Sequence, residues 1–248
     1  MNDRPPLDAL IEITKEILRV KYREAEFAFL AGSIVRGEGT AFSDLDIVVI
    51  YKELPNAFRE SFYFRSYPVE TFVQTPETLN YFFETNAENF VPSLAAMVAE
   101  GIEVPAKTDL SARLKDLANE NLRRPPVISD EEIRDARAWL TDLIDDIRAP
   151  RSKEELTATG TTLYAALATF YLRTNGVWAA KSKSIPRALL KLNPDFQQRF
   201  CAGFERLFVA GETETVIKLT EELLALHGGF LFDGLRLDAS PDCRKSLE

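Results

Sequence analysis

The sequence predicts an α+β chain in which an N-terminal mixed-sheet domain is followed by an all-α helical bundle. Three observations lead there. Short apolar runs at Phe27–Ala31 and Leu45–Tyr51, with two more at Phe58–Phe64 and Tyr67–Gln74, have the length and composition of strands. Beyond Val127 the apolar residues recur at helical spacing almost without interruption. Between these regions, Arg123-Arg124-Pro125-Pro126 closes a helix with two prolines that cannot continue it, which sets the boundary between domains 1–124 and 125–248.

Taken in order, Leu7–Arg23 carries Leu10, Ile11, Ile17 and Leu18 on one face and reads as an amphipathic helix. The first two strands follow, joined by a turn that holds Gly37 and Gly39. Pro55 marks the turn before the next two strands, which break near Ser66. Thr75 and Pro76 then start a helix to Phe83 as N-cap and first helical residue. A helix over Pro92–Glu100, a brief strand at Ile102–Pro105 and a helix over Leu110–Leu122 complete the domain. In the second half, Ser129 with Glu132 and Ser152 with Glu155 read as capping boxes. The first of these helices runs to Arg148, burying Leu140, Leu143 and Ile147, and the second stops at Asn175-Gly176. Ser184-Ile185-Pro186 and Asn193-Pro194 open two more helices. The latter carries Phe196, Phe200, Phe204 and Phe208 as core, and Glu212–His227 ends at Gly228-Gly229. His227, the only histidine, falls in that last turn, and the tail after Asp238 reads as loose.

The chemistry concentrates between Phe27 and Tyr51. The first strand stops at Gly32-Ser33, where a glycine lets backbone N–H groups approach an anion and the serine adds a donor. The second strand opens with Asp44 and Asp46, whose i, i+2 spacing puts both carboxylates on one side. Such a pair repels itself unless a cation intervenes, and hard oxygen ligands suit Mg²⁺ together with substrate phosphates.

At Gly32-Ser33, Arg36-Gly37 and Ser43-Asp44-Leu45-Asp46 the chain resembles the DNA polymerase β-like nucleotidyltransferase superfamily. The resemblance implies a nucleotidyltransferase domain in which Gly32 and Ser33 hold a nucleoside triphosphate. It also implies a third carboxylate on a neighbouring strand, completing a site for two Mg²⁺ ions. Glu70, the one acid inside Pro-Val-Glu-Thr-Phe-Val, is the expected third ligand. Arg36 is an expected phosphate contact, and adenylyl transfer from ATP is the expected reaction.

The helical half is similar to that of kanamycin nucleotidyltransferase, whose acid-rich helix supplies a base and helps hold a polycationic drug. By position Asp142 or Asp145 matches that base. Lys183, in the loop after Trp178, is the expected second nucleotide contact. The likeness also allows a homodimer sharing its cleft.

Composition narrows the acceptor. The net charge of −9 and pI near 4.9 offer no basic stripe for long nucleic acid. A small hydroxylated molecule such as an aminoglycoside is the first expectation. Transfer to a protein or tRNA, as in toxin–antitoxin-type minimal nucleotidyltransferases, and a non-catalytic nucleotide-binding module are the alternatives. Two cysteines form no disulfide or metal framework, charges interrupt every apolar run, and no signal peptide is read. A cytoplasmic, non-membrane protein is expected.

Overall fold

The computed structural model describes residues 6–40, 42–85, 90–238, 240 and 243–244. The chain falls into two compact units, Met1–Pro125 and Pro126–Glu248. The architecture is α+β: a five-stranded mixed sheet with its helices, followed by a helical region.

In the first unit, helix α1 (Leu7–Lys21) precedes strand β1 (Phe27–Ala31). The four-residue helix α2 (Gly32–Val35) then leads to β2 (Leu45–Ile50), β3 (Phe58–Phe64) and β4 (Tyr67–Gln74). Helices α3 (Pro76–Thr85) and α4 (Ser93–Glu100), strand β5 (Ile102–Val104) and helix α5 (Asp109–Leu122) complete it. The strand order is β3-β4-β2-β1-β5, with β2 and β4 parallel and the other neighbours antiparallel. A sheet covered on both faces explains why β1 is buried at every position. On one face Leu10, Ile13 and Ile17 of α1 pack against Leu30, Ile47 and Val49. On the other, Phe83, Leu94, Val98 and Leu114 from α3, α4 and α5 meet Phe27, Phe29, Val48 and Ile50. Because side chains alternate, Asp46 shares this second face with Val48 and Ile50.

α1 is also tied to the sheet by a polar contact. The buried Tyr22 hydroxyl donates to Glu60 Oε1 at 2.7 Å and shares a 2.8 Å hydrogen bond with Thr71. Burial and the Glu60 carboxylate push the Tyr22 phenol above its ordinary 10.0. A raised folded-state pKa means the stabilisation is complete below pH 10 and is lost as the pH rises past it. Tyr22→Phe should therefore cost about 1–2 kcal/mol at neutral pH. It should also flatten the fall in thermal stability above pH 10, as read by melting curves at stepped pH.

The second unit consists of α6 (Asp130–Arg148), α7 (Lys153–Thr174), α8 (Ile185–Leu192), α9 (Pro194–Ala210) and α10 (Glu214–Ala225), with a 3₁₀ turn at Ser182–Ser184. Its core joins Leu140, Leu143, Leu163, Leu167 and Leu219 to the α9 aromatics. Tyr171 stacks on Phe196 with centroids 3.5 Å apart. Among the described residues, no helix is long and apolar enough to cross a membrane.

Three local details differ from the sequence reading. α1 ends at Lys21, two residues early. Ser129 forms a reciprocal capping box, but at Ser152 only half of one exists, because Glu155 Oε2 accepts from the Arg151 N–H at 3.2 Å instead. His227 lies beyond the last helical turn, with its ring edge-on to Phe170. The turn there is held from α6, where Arg137 donates to the carbonyls of Gly228 and Gly229 at 2.7 and 2.8 Å. Most of the tail after Asp238 lies outside the described residues.

Candidate active site

β2 runs between β1 and β4, and this order assembles the site. Asp46 pairs in register with Ala31 on one side and with Glu70 on the other. Parallel pairing in that register puts the Asp46 and Glu70 side chains on the same face, next to each other. Asp44, just before β2, joins them. Ligand oxygens of Asp44, Asp46 and Glu70 all lie within 4.8 Å of one another, and all three residues are half-buried. Three carboxylates at that separation repel strongly in a partly desolvated place. The donor set is all oxygen, as a hard divalent cation requires, so these residues fit Mg²⁺.

Gly32 is fitted to this cluster. Its φ is +81°, and an added Cβ would lie 1.9 Å from Asp46 Oδ2. Only glycine lets the chain turn there without pushing the carboxylate aside. From Ser33 onward the loop is braced by its own bonds. Glu38 N–H donates to Ser33 O at 2.8 Å, Thr40 N–H donates to Ser43 Oγ at 2.7 Å, and Ser33 Oγ lies 3.3 Å from Ser43 Oγ. The elbow thus presents its backbone beside the acids.

Glu70 is held from behind. Arg59 and Ser61 of β3 both donate to its Oε1, Ser61 at 3.3 Å. The Arg59 guanidinium also lies 5.5 Å from the centre of the Phe72 ring. Neither β3 residue stood out in the sequence. The only signal for them was their place on a strand antiparallel to the one bearing Glu70, and the register was not legible without the fold.

Residues 11–104, from within α1 to the end of β5, match the family model for the nucleotidyltransferase domain. The N-terminal unit is a nucleotidyltransferase domain. The match covers less than half of the chain and leaves the helical unit outside it. No curated protein matches the sequence. Among solved structures, a nucleotidyltransferase-like protein from Exiguobacterium sibiricum 255-15 is 18% identical, with 88% of this chain and 75% of that chain covered and a TM-score of 0.44.

The remaining expected residues are placed as follows. Arg36 follows α2, but its guanidinium is engaged by carboxylates, Glu38 at 3.1 Å and Glu100 at 2.9 Å. Asp142, Asp145 and Lys183 belong to the second unit and are exposed. Asp145 is ion-paired with Arg148 at 2.7 Å, one turn along α6. Within the nucleotidyltransferase domain the structure therefore brings together Gly32, Ser33, Asp44, Asp46 and Glu70.

A cavity of about 630 Å³ opens on the same face, bounded by Asp46 and Glu70 at one corner. Phe72 and Gln74 of β4 form its floor, and Phe82 of α3 with Leu94 and Met97 of α4 form its walls.

Proposed function

We propose that this chain transfers a nucleoside monophosphate, AMP in the first instance, from a nucleoside triphosphate to a hydroxyl of a small molecule. The single observation carrying this reading is the convergence of Asp44, Asp46 and Glu70 beside the Gly32 elbow. Asp44, Asp46 and Glu70 would hold the divalent ions, two Mg²⁺ in the full reading. When bound, these supply charge neutralisation at the triphosphate and a lowered pKa for the acceptor hydroxyl.

The chain's own groups do the rest. The Gly32 and Ser33 backbone, with the Ser33 hydroxyl, orients the triphosphate. Arg59 and Ser61 fix one oxygen of Glu70 and leave the carboxylate aimed at its two partners. The acceptor oxygen then bonds to the α-phosphorus as the bond to the bridging oxygen breaks. Pyrophosphate departs, and the hydroxyl proton passes to a base. Asp142 or Asp145 is the proposed base, and Lys183 and Arg36 are proposed phosphate contacts. Arg36 has to exchange a carboxylate partner to act so.

A small acceptor accords with the net charge of −9. The aminoglycoside version draws on the acids exposed along α6, Asp142 and Asp146 among them. Incubation with α-labelled ATP, GTP, CTP or UTP and Mg²⁺ tests the proposal across small hydroxylated molecules, a tRNA pool and the protein itself. Label on a small molecule, abolished by chelation, is the expected result. Label on tRNA or protein replaces the acceptor, and no label anywhere with any nucleotide sinks the transfer reading.

A further inference from the structure

The cavity beside the acids says what kind of acceptor this domain takes, given the transfer reading above. Phosphoryl displacement is in line, so the attacking oxygen enters opposite the departing pyrophosphate. The triphosphate elbow, Gly32-Ser33, lies at the end of β1. β2 lies between β1 on one side and β4 on the other. With the leaving group held on the β1 side of Asp46, the attacking group approaches from the β4 side. The cavity of about 630 Å³ is there, sharing Asp46 and Glu70 with the triad. That volume holds a drug-sized molecule.

Its lining decides the chemistry. Phe72, Phe82, Leu94 and Met97 make it apolar and aromatic, and Gln74 is a neutral polar group anchored by Thr78, whose hydroxyl donates to Gln74 Oε1 at 2.7 Å. Asp46 and Glu70 are the acids of the lining, and both are committed to the triad. The Arg59 guanidinium at the rim is itself paired with Glu70, so beyond the triad the described residues of the lining offer neither a free cation nor a free carboxylate. A polycationic sugar would set its many hydroxyls and ammonium groups against Phe72, Phe82, Leu94 and Met97 with few polar partners for them, a costly desolvation. A flat ring carrying a single hydroxyl would bury its faces against the phenylalanines and leave few polar groups to satisfy. We infer that the β4–α3–α4 cavity is the acceptor site, and that the acceptor is a neutral aromatic alcohol, not a polycationic sugar.

The test uses the full chain with Mg²⁺ and two readouts. A fluorescent N-methylanthraniloyl-ATP reports nucleotide binding, and 2-(2-naphthyl)ethanol, a neutral aromatic alcohol, reports the acceptor site and serves as acceptor for labelled ATP. Kanamycin A is the polycationic comparison. Met97→Trp adds bulk on the α4 side of the cavity, and Phe82→Ser makes its α3 side polar. The expected result is that both variants keep nucleotide affinity within twofold, while naphthylethanol binding and labelling weaken tenfold or more. Labelling of kanamycin A in preference to naphthylethanol, unchanged by both variants, overturns the inference and leaves nucleotidyl transfer standing. Loss of nucleotide binding in both variants, with naphthylethanol unaffected, also overturns it by giving the cavity to the base. Failure of the unaltered chain to bind the nucleotide at all sinks the transfer reading itself.

Discussion

Asp46→Asn leaves a folded chain whose nucleotidyl transfer falls about 10³-fold or more, a loss of roughly 4 kcal/mol or more of transition-state stabilisation. Asp46 is the central acid, in register with Glu70 on one side and Ala31 on the other, which places it to contact any ion that the cluster would hold. The substitution is nearly isosteric and adds no atom to the sheet. A second consequence separates it from simple damage. Three carboxylates within 4.8 Å destabilise the ion-free fold by mutual repulsion. Neutralising one should raise the melting temperature without metal and abolish the rise expected of the unaltered chain with Mg²⁺ or Mn²⁺. Binding of Mn²⁺, followed by electron paramagnetic resonance, should weaken in parallel. A variant that melts like the parent in both conditions and keeps its activity would show that Asp46 is not a metal ligand.

Gly32→Ala should be nearly as damaging, though it removes no functional group. The new methyl would stand 1.9 Å from Asp46 Oδ2, and φ of +81° is itself unfavourable for alanine by about 1–2 kcal/mol. Either Asp46 swings out of the cluster or the elbow moves away from it. The expected result is a stability loss of about 1–3 kcal/mol with transfer reduced about 10²-fold, measured by chemical denaturation and by labelled-nucleotide assay. Gly37→Ala is the control. Gly37 also has positive φ, +74°, but no atom lies within 4 Å of an added Cβ. It should show the backbone penalty and keep its Mn²⁺ affinity. If Gly32→Ala and Gly37→Ala lose the same activity, the contact with Asp46 is not the reason for the glycine.

Much of this site was legible because its signals are local. Strand alternation put Asp44 and Asp46 on one side, and the isolated acid of Pro-Val-Glu-Thr-Phe-Val stood out as Glu70 against its apolar neighbours. Prolines and N-cap residues located α3, α8 and α9 closely. Other details were not legible. Glu155 satisfies Arg151 rather than Ser152, a choice between two adjacent N–H groups that the capping pattern does not specify. The partner of Arg36 was set by the fold, since α4 brings Glu100 to its guanidinium from sixty-four residues away.

The sequence by itself determined where strands and helices lie, which acids point together and where glycine is required, because each depends on neighbours within a few residues. Only the tertiary structure decided that Asp46 stands beside Glu70, that Arg59 and Ser61 brace that glutamate, and that Phe72, Phe82 and Met97 enclose a cavity next to them. Those are facts of strand order and register. They are set by burying both faces of the sheet at once, and many sequence patterns along β3, α3 and α4 would satisfy that requirement equally well.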